Sequence, residues 1–573
     1  MLLVTPITLF RSGEPGPSAS QAPGRKAGLG LGLLGLWAAF PSWAVAAVSG
    51  EAVPRGFGGA DWLVLAVYVA ALIGIGFYYS RRQTTAEEYF VGNRRLSPML
   101  VGISLFATLY STLSYFGSPG EIVQNGPVII AVNLATVPLV YLIVGYGIIP
   151  VIMRMKVTSA YELLEARLGR RVRLLGSGMF IVTRVLWMAL MLYTTSLVLV
   201  TVMGWDPGWV TPISIVTGLV TTVYTLSGGI EGVVMTDVLQ FFVMLLGAVA
   251  TVVYITYLMG GVGEWWPAVW APHWAPQPFF SADPHVRVTM VGTFFGSIIL
   301  WICLTSSDQM AVQRYQTMPD VAAARRSFWH KSVAGAVVSL TLCLVGLALL
   351  GFYRKHPEAL PAHLTLTENG DAMFPHFISH FLPTGLPGVL IAGVLAAAMS
   401  SLSSGINSSV TVLSKDFADT FRPEVPRTDA ARLRTARWLA LGLGLITIAG
   451  STLVAAVPGN LMEVGNKTLN LFFCPLFGLF FLAFCVPFAT PFGAVIGLVY
   501  SFGAAALVGY WDVITGGARL SFQWISPVAL VTTIIGSSFF SLWPTRGKPA
   551  WVLAAYSGAA LAPWPVLLVL LRL

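Results

Sequence analysis

Apolar runs of about twenty residues recur along nearly the whole chain. They lie near 61–80, 97–117, 127–152, 174–202, 208–227, 230–260, 289–310, 330–353, 386–413, 435–457, 465–487, 490–511, 525–543 and 550–571. A helix of about twenty residues covers roughly 30 Å, the thickness of a bilayer's hydrocarbon core. The repetition therefore predicts an all-α polytopic membrane protein with about fourteen transmembrane helices. Only 10% of the 573 residues are charged and 56% are hydrophobic, whereas roughly 25% are charged in a soluble domain. The net charge of +9 is no signature of nucleic-acid binding, because the basic residues fall in short loops between spans.

Those loops also orient the chain. With the mature N-terminus outside, the predicted inner loops hold most of the Lys and Arg, from Arg81, Arg82, Arg94 and Arg95 through Arg154 to Arg173. Arg314, Arg325, Arg326 and Lys331 follow, then Lys415, Arg422, Arg427, Arg432 and Arg434, and finally Arg546 and Lys548. The outer loops hold only Arg287, Arg354, Lys355 and Arg519. This positive-inside pattern suits a bacterial inner (plasma) membrane. Residues 1–49 read as a leader. Arg25-Lys26, the apolar stretch from Ala27 to Phe40 and Ala44-Val45-Ala46 have the form of a signal peptide, with a retained extra span as the alternative. Residues 50–573 form the transmembrane domain. Trp265, Trp266, Trp270 and Trp274 in an outer loop read as interface anchors, and Ser159-Ala160-Tyr161-Glu162 reads as a capping box opening a short surface helix. The cysteines Cys303, Cys343, Cys474 and Cys485 lie in apolar segments and read as buried small residues.

Hydroxyls and charges inside the spans point to function. Between Met399 and Ser409, serines stand at 400, 401, 403, 404, 408 and 409 in an otherwise apolar segment. Ala397, Ser400, Ser401 and Ser404 share one helix face. Such a stripe either packs helices and bonds back to its own backbone, or presents uncharged oxygen to a hard, weakly held cation such as Na⁺. The span 97–117 places six hydroxyl residues from Thr108 to Tyr115. A helix broken here would free carbonyls for an ion, while the alternative is a packing helix. Asp237, just inside its span, is either a functional carboxylate or a solvated cap. Arg184 is a clamp for a substrate carboxylate, half of a structural ion pair, or a side chain that snorkels to the inner face. Asn133 is a weaker candidate of the same kind. The chain has no HExxH, no Gly-x-Ser-x-Gly and no paired intramembrane aspartates, so an enzyme lacks its parts.

Taken in order, these segments resemble the sodium:solute symporter family, the relatives of the sodium–glucose cotransporters. The resemblance runs from about Asp61 to Trp511. It rests on Thr85 to Arg94, the span 97–117, Tyr161 to Arg167, Gly228 to Gln240, Asp308-Gln309-Met310-Ala311-Val312-Gln313-Arg314 and Ala397 to Ser409. It implies a five-plus-five inverted-repeat core of the LeuT type, with repeat one at about 97–260, repeat two at about 289–487, and peripheral helices at 61–80 and 490–571. It implies a main Na⁺ site made by Ala107, Tyr110, Ala397, Ser400 and Ser401. A second Na⁺ site would use Ser400, Ser403, Ser404 and Asp237, giving two Na⁺ per substrate. Leu109, Ser111, Ser114, Asn133, Arg184, Trp301 and Leu304 would surround the solute. Sugar-carrying relatives place Gln or His where Ser114 stands and an aromatic gate at Leu304, so these positions argue against a hexose. Gly117 to Glu121 looks more like the monocarboxylate and vitamin branch, and Arg184 falls near the carboxylate position of a sialic-acid carrier. The expected activity is Na⁺-coupled import of a small organic anion, a sialic acid or a smaller carboxylate. A sugar or amino-acid symporter is the alternative, as is a membrane substrate sensor, which the lack of a domain after Leu573 disfavours.

Overall fold

The computed structural model of the chain describes residues 57–83, 85–418, 428–454, 461–545 and 547–564, without the side chains of 418 and 461–470. The leader 1–49, Arg422, Arg427, Arg546 and the end of the last expected span lie outside the described residues. Within them, all regular structure is helical. Among the described residues ten helices are long and apolar enough to cross a membrane, and a pair bent by 72°, α3 (Pro98–Leu109) and α4 (Thr112–Asn125), makes an eleventh span. The expected fourteen differ from this for a local reason. The 50 residues of α9 (Val210–Met259) are long enough for two crossings. Gly229 breaks α9 with φ 51° and ψ −161°, a conformation that L-residues avoid. A Cβ there would also meet Gln83, whose Nε2 donates to the Gly228 carbonyl. The helices Leu461–Cys485 and Ala550–Leu561 account for the other two.

The order before α9 is α1 (Gly59–Ser80), α2 (Ala86–Val91), α3, α4, α5 (Val128–Leu142), α6 (Ile149–Arg154), α7 (Glu162–Leu168) and α8 (Arg170–Met203). After it come α10 (Met290–Ser307), α11 (Gln309–Gln316), α12 (Val321–Lys355), α13 (Gly370–His380) and α14 (Leu386–Val412). The most enclosed span is α14, with its π-helical extension: 89% of its apolar window is buried, against 28% for α1. It packs on α9, α8, α1 and α3, so the serine run sits at the centre of the bundle. Helices Pro491–Gly509 and Ile525–Ser541 pack chiefly on each other and on Leu461–Cys485, outside that centre.

Three local expectations change. The capping box at Ser159 is half formed: Ser159 N donates to Glu162 Oε1 (2.8 Å), but Ser159 Oγ donates instead to Asp416 (2.6 Å). Helix α7 does not lie free on the surface, since Leu163, Leu164 and Leu168 are buried against the core. Of the four tryptophans, Trp266 and Trp270 are about half exposed, whereas Trp265 and Trp274 are each 3% exposed. Trp274 Nε1 donates to the Val123 carbonyl (3.0 Å), which pins the loop 261–288 onto α4.

Candidate ion and solute site

The chain leaves helical geometry after Leu109. Tyr110 (φ −94°, ψ 139°) and Ser111 (φ −118°, ψ 158°) are extended before α4 begins. The carbonyls of Ala107 and Thr108 therefore lose their usual amide partners four residues on. Helix α14 supplies hydroxyls in their place. Ser400 Oγ lies 2.9 Å from the Ala107 carbonyl and 3.2 Å from that of Ala397. Ser401 Oγ lies 3.0 Å from the Thr108 carbonyl and 3.1 Å from that of Tyr110. All five residues assigned to the main Na⁺ site thus fall in one buried cluster. The Thr108 carbonyl joins them, and the break that frees Ala107 was the signal for it. Each hydroxyl has a single proton for two acceptors, so lone pairs remain for a cation.

A second cluster lies beside the first. Asp237 is fully buried rather than solvated. Its Oδ2 accepts from Ser104 Oγ (2.6 Å), Thr108 Oγ1 (3.1 Å), Ser404 Oγ (3.3 Å) and Arg314 Nη2 (2.8 Å). Its Oδ1 has no partner. Ser403 Oγ turns back to the Ser400 carbonyl of its own helix (3.1 Å). Arg314, assigned from the sequence to an inner loop, is wholly enclosed in α11. Its Nε donates to Ser104 Oγ (2.9 Å) and its Nη2 also donates to Ser404 Oγ (2.5 Å).

The chain leaves helical geometry again at Asp308 (φ −79°, ψ 127°), between α10 and α11. Asp308 Oδ1 accepts from Met310 N (2.8 Å) and caps α11. Its Oδ2 accepts from Arg184 Nη2, and both side chains are buried. Phe180 and Phe473 flank the guanidinium at 5.6 and 5.7 Å. The carboxylate that Arg184 meets is thus one belonging to the chain.

A cavity of about 200 Å³ opens between α3, α4, α5, α10 and α12. Tyr110, Ser114, Ser118, Asn133, Trp301, Lys331 and Ser332 are among the residues that line it. Ser114, Asn133 and Trp301 of the expected solute contacts are there. Ser111 stands next to it, its Oγ 3.1 Å from Ser114 Oγ. Leu109 packs into the hydrophobic core, and neither it, Leu304 nor Arg184 is among the lining residues. Lys331, also assigned to an inner loop, is inside α12, and its Nζ lies 3.9 Å from the centre of the Trp301 ring. The signal for it was Asp320, which caps α12 at Ala323 N (2.7 Å) and starts the helix ten residues before Lys331.

The family model described as "Sodium:solute symporter family" matches residues 89–500. The sodium-dependent multivitamin transporter of Oryctolagus cuniculus is 30% identical over 518 residues, covering 87% of this chain and 78% of that protein. The sodium/sialic acid symporter SiaT of Proteus mirabilis is 29% identical over 495 residues, covering 84% and 95%. A solved Na⁺-coupled sialic acid symporter, in a substrate-bound outward-open state with a novel Na⁺ site, superposes with a TM-score of 0.71 at 27% identity. That match covers 85% of this chain and 98% of the other.

Proposed function

The chain belongs to the sodium:solute symporter family, and we propose that it imports a small organic carboxylate by alternating access, with Na⁺ held at the break between α3 and α4. It is a multi-pass membrane transporter with a LeuT-type fold, a Na⁺-coupled symporter and not an enzyme. The observation that carries the site assignment is the pairing of the Ser400 and Ser401 hydroxyls with the carbonyls of Ala107 and Tyr110. These oxygens are neutral and buried, a donor set that suits a dehydrated alkali ion. Na⁺ bound there joins α14 to the broken helix and fixes one wall of the solute cavity, since Tyr110 belongs to both.

The finer readings rest on particular atoms. A second Na⁺ is supported by the unpartnered Asp237 Oδ1, on a carboxylate whose other oxygen accepts from Ser404. Ser403 would have to turn its hydroxyl away from its own helix to join them. Two Na⁺ travelling with one monoanion move one net charge inward, about 2.3 kcal/mol per 100 mV of membrane potential. At about 200 Å³ the cavity is smaller than the roughly 300–1,000 Å³ of pockets for drug-sized ligands, which favours a small carboxylate over a sugar acid. The relatives are consistent with a carboxylate, since one is named for sialic acid. The loop charges suit an inner membrane with the mature N-terminus outside.

The test is uptake into proteoliposomes of a labelled panel: sialic acid, lactate, pantothenate, proline and galactose. An inward Na⁺ gradient should drive accumulation of a carboxylate, faster with the interior negative. Equal accumulation with K⁺ replacing Na⁺ overturns the coupling. Preferential accumulation of galactose overturns the carboxylate, and that of proline, a zwitterion, overturns the monoanion.

A further inference from the structure

We propose that Lys331 holds the carboxylate of the transported solute, in the cavity between α4, α5, α10 and α12. This rests on the reading of the chain as a carboxylate symporter and names the residue that recognises the anion. Lys331 is 8% exposed and lies ten residues into α12, about 15 Å along the helix axis from its first residue. A buried ammonium needs a compensating group. The two arginines buried with it both have one: Arg184 faces Asp308 and Arg314 faces Asp237. Among the described residues the Lys331 ammonium has no acidic partner and lies over aromatic faces, Trp301 at 3.9 Å and Phe328 at 5.5 Å. No acid lines the cavity among the described residues.

The rest of the lining fits an anion with a polar body. Ser114, Ser118, Asn133 and Ser332 offer hydroxyl and amide groups, while Trp301 closes the cavity beside the amine. Asn133 Oδ1 already accepts from Ser297 Oγ, which turns the amide so that its NH₂ remains available to donate. Tyr110 connects the cavity to the ion ring. A solute seated on Lys331 would therefore lie against the wall that Na⁺ fixes.

The experiment uses the full chain in proteoliposomes and compares uptake of sialic acid, lactate and pantothenate with that of their neutral amides. Na⁺-dependent thermal stabilisation is measured in parallel. Wild type should prefer one acid over its amide by tenfold or more. Lys331→Met should abolish that preference and keep the Na⁺-dependent stabilisation, while Lys331→Arg should retain the preference. Lys331→Gln replaces the Met variant if that does not fold. An acid preference that persists in the folded Met or Gln variant overturns the assignment and leaves the symport reading standing. A wild type that accumulates none of the acids overturns both.

Discussion

The two helix breaks use the same backbone device and opposite chemistry. At Tyr110–Ser111 the freed carbonyls meet serine hydroxyls, and every group is neutral. At Asp308 the extended residue is itself an acid, held by Arg184 and capping α11. A neutral hydrogen bond contributes about 0.5–1.5 kcal/mol net, which an incoming cation can offset. A buried ion pair cannot be opened so lightly, because each separated charge stays in a low-dielectric interior. The first break is therefore suited to exchange, and the second to holding α10, α11 and α8 in place. Asp237 links the two, since its Oδ2 accepts from Ser104 and Thr108 on α3 and from Arg314 on α11.

The largest expected effect is at the second break. Arg184→Ala leaves Asp308 buried without its partner and should cost about 3–5 kcal/mol of stability, read as a lower melting temperature and poor yield of purified protein. Replacing both partners, Arg184→Leu with Asp308→Asn, should recover much of that loss. The comparison breaks if Arg184→Ala melts like wild type and only loses carboxylate uptake. Arg184 would then be the solute clamp.

Next comes the link between the breaks. Asp237→Asn keeps an acceptor for Ser104 and Thr108 but leaves the wholly buried Arg314 without a counter-charge. We expect a smaller destabilisation than for Arg184→Ala, and a fall in the Na⁺:solute ratio from two to one, measured by paired ²²Na⁺ and solute fluxes. An unchanged ratio would remove Asp237 from ion coupling.

How far the sequence foretold this contrast follows from what hydropathy can see. Hydroxyls crowded into apolar runs stand out, so Ser400, Ser401 and the break near Tyr110 were readable, as was the division of α9 into two spans. Basic residues near a span's end do not stand out. A hydropathy window assigns them to loops, and so the buried Arg314 and Lys331 were misplaced. Nor does a single sequence show which acid an intramembrane arginine meets. Asp308 lies 124 positions from Arg184, and the two meet only because the fold brings the Arg184 side chain to the break between α10 and α11. The second ion cluster fell between these cases: its oxygens were readable, but the guanidinium among them was not.

At the first break the expected effects are smaller and fall on ion affinity. Ser401→Ala removes the hydroxyl shared by the Thr108 and Tyr110 carbonyls. Losing about 1.4 kcal/mol of ion binding is a tenfold change, so the Na⁺ concentration for half-maximal uptake should rise about tenfold with little change in melting temperature. An unchanged Na⁺ requirement would make the first break as inert as the second.

The smallest effect tests whether the lip of the first break has to be held open. Ser111 accepts from Ser114 N (3.2 Å) and so caps α4. Removing such a cap costs about 1 kcal/mol. In Ser111→Ala the first turn of α4 frays, Tyr110 is less fixed, and the ion must order it again. The Na⁺ requirement should rise, by no more than about fivefold if the whole cost falls on binding. Ser114→Ala is the matched control, because it removes the Ser111–Ser114 hydroxyl contact and keeps the backbone cap. If both variants shift the Na⁺ requirement equally, the hydroxyl pair facing the solute cavity is responsible and not the cap. If only Ser111→Ala shifts it, the first break differs from the second in a further respect: its neutral cap can be loosened by degrees, whereas the Asp308 cap is locked by Arg184.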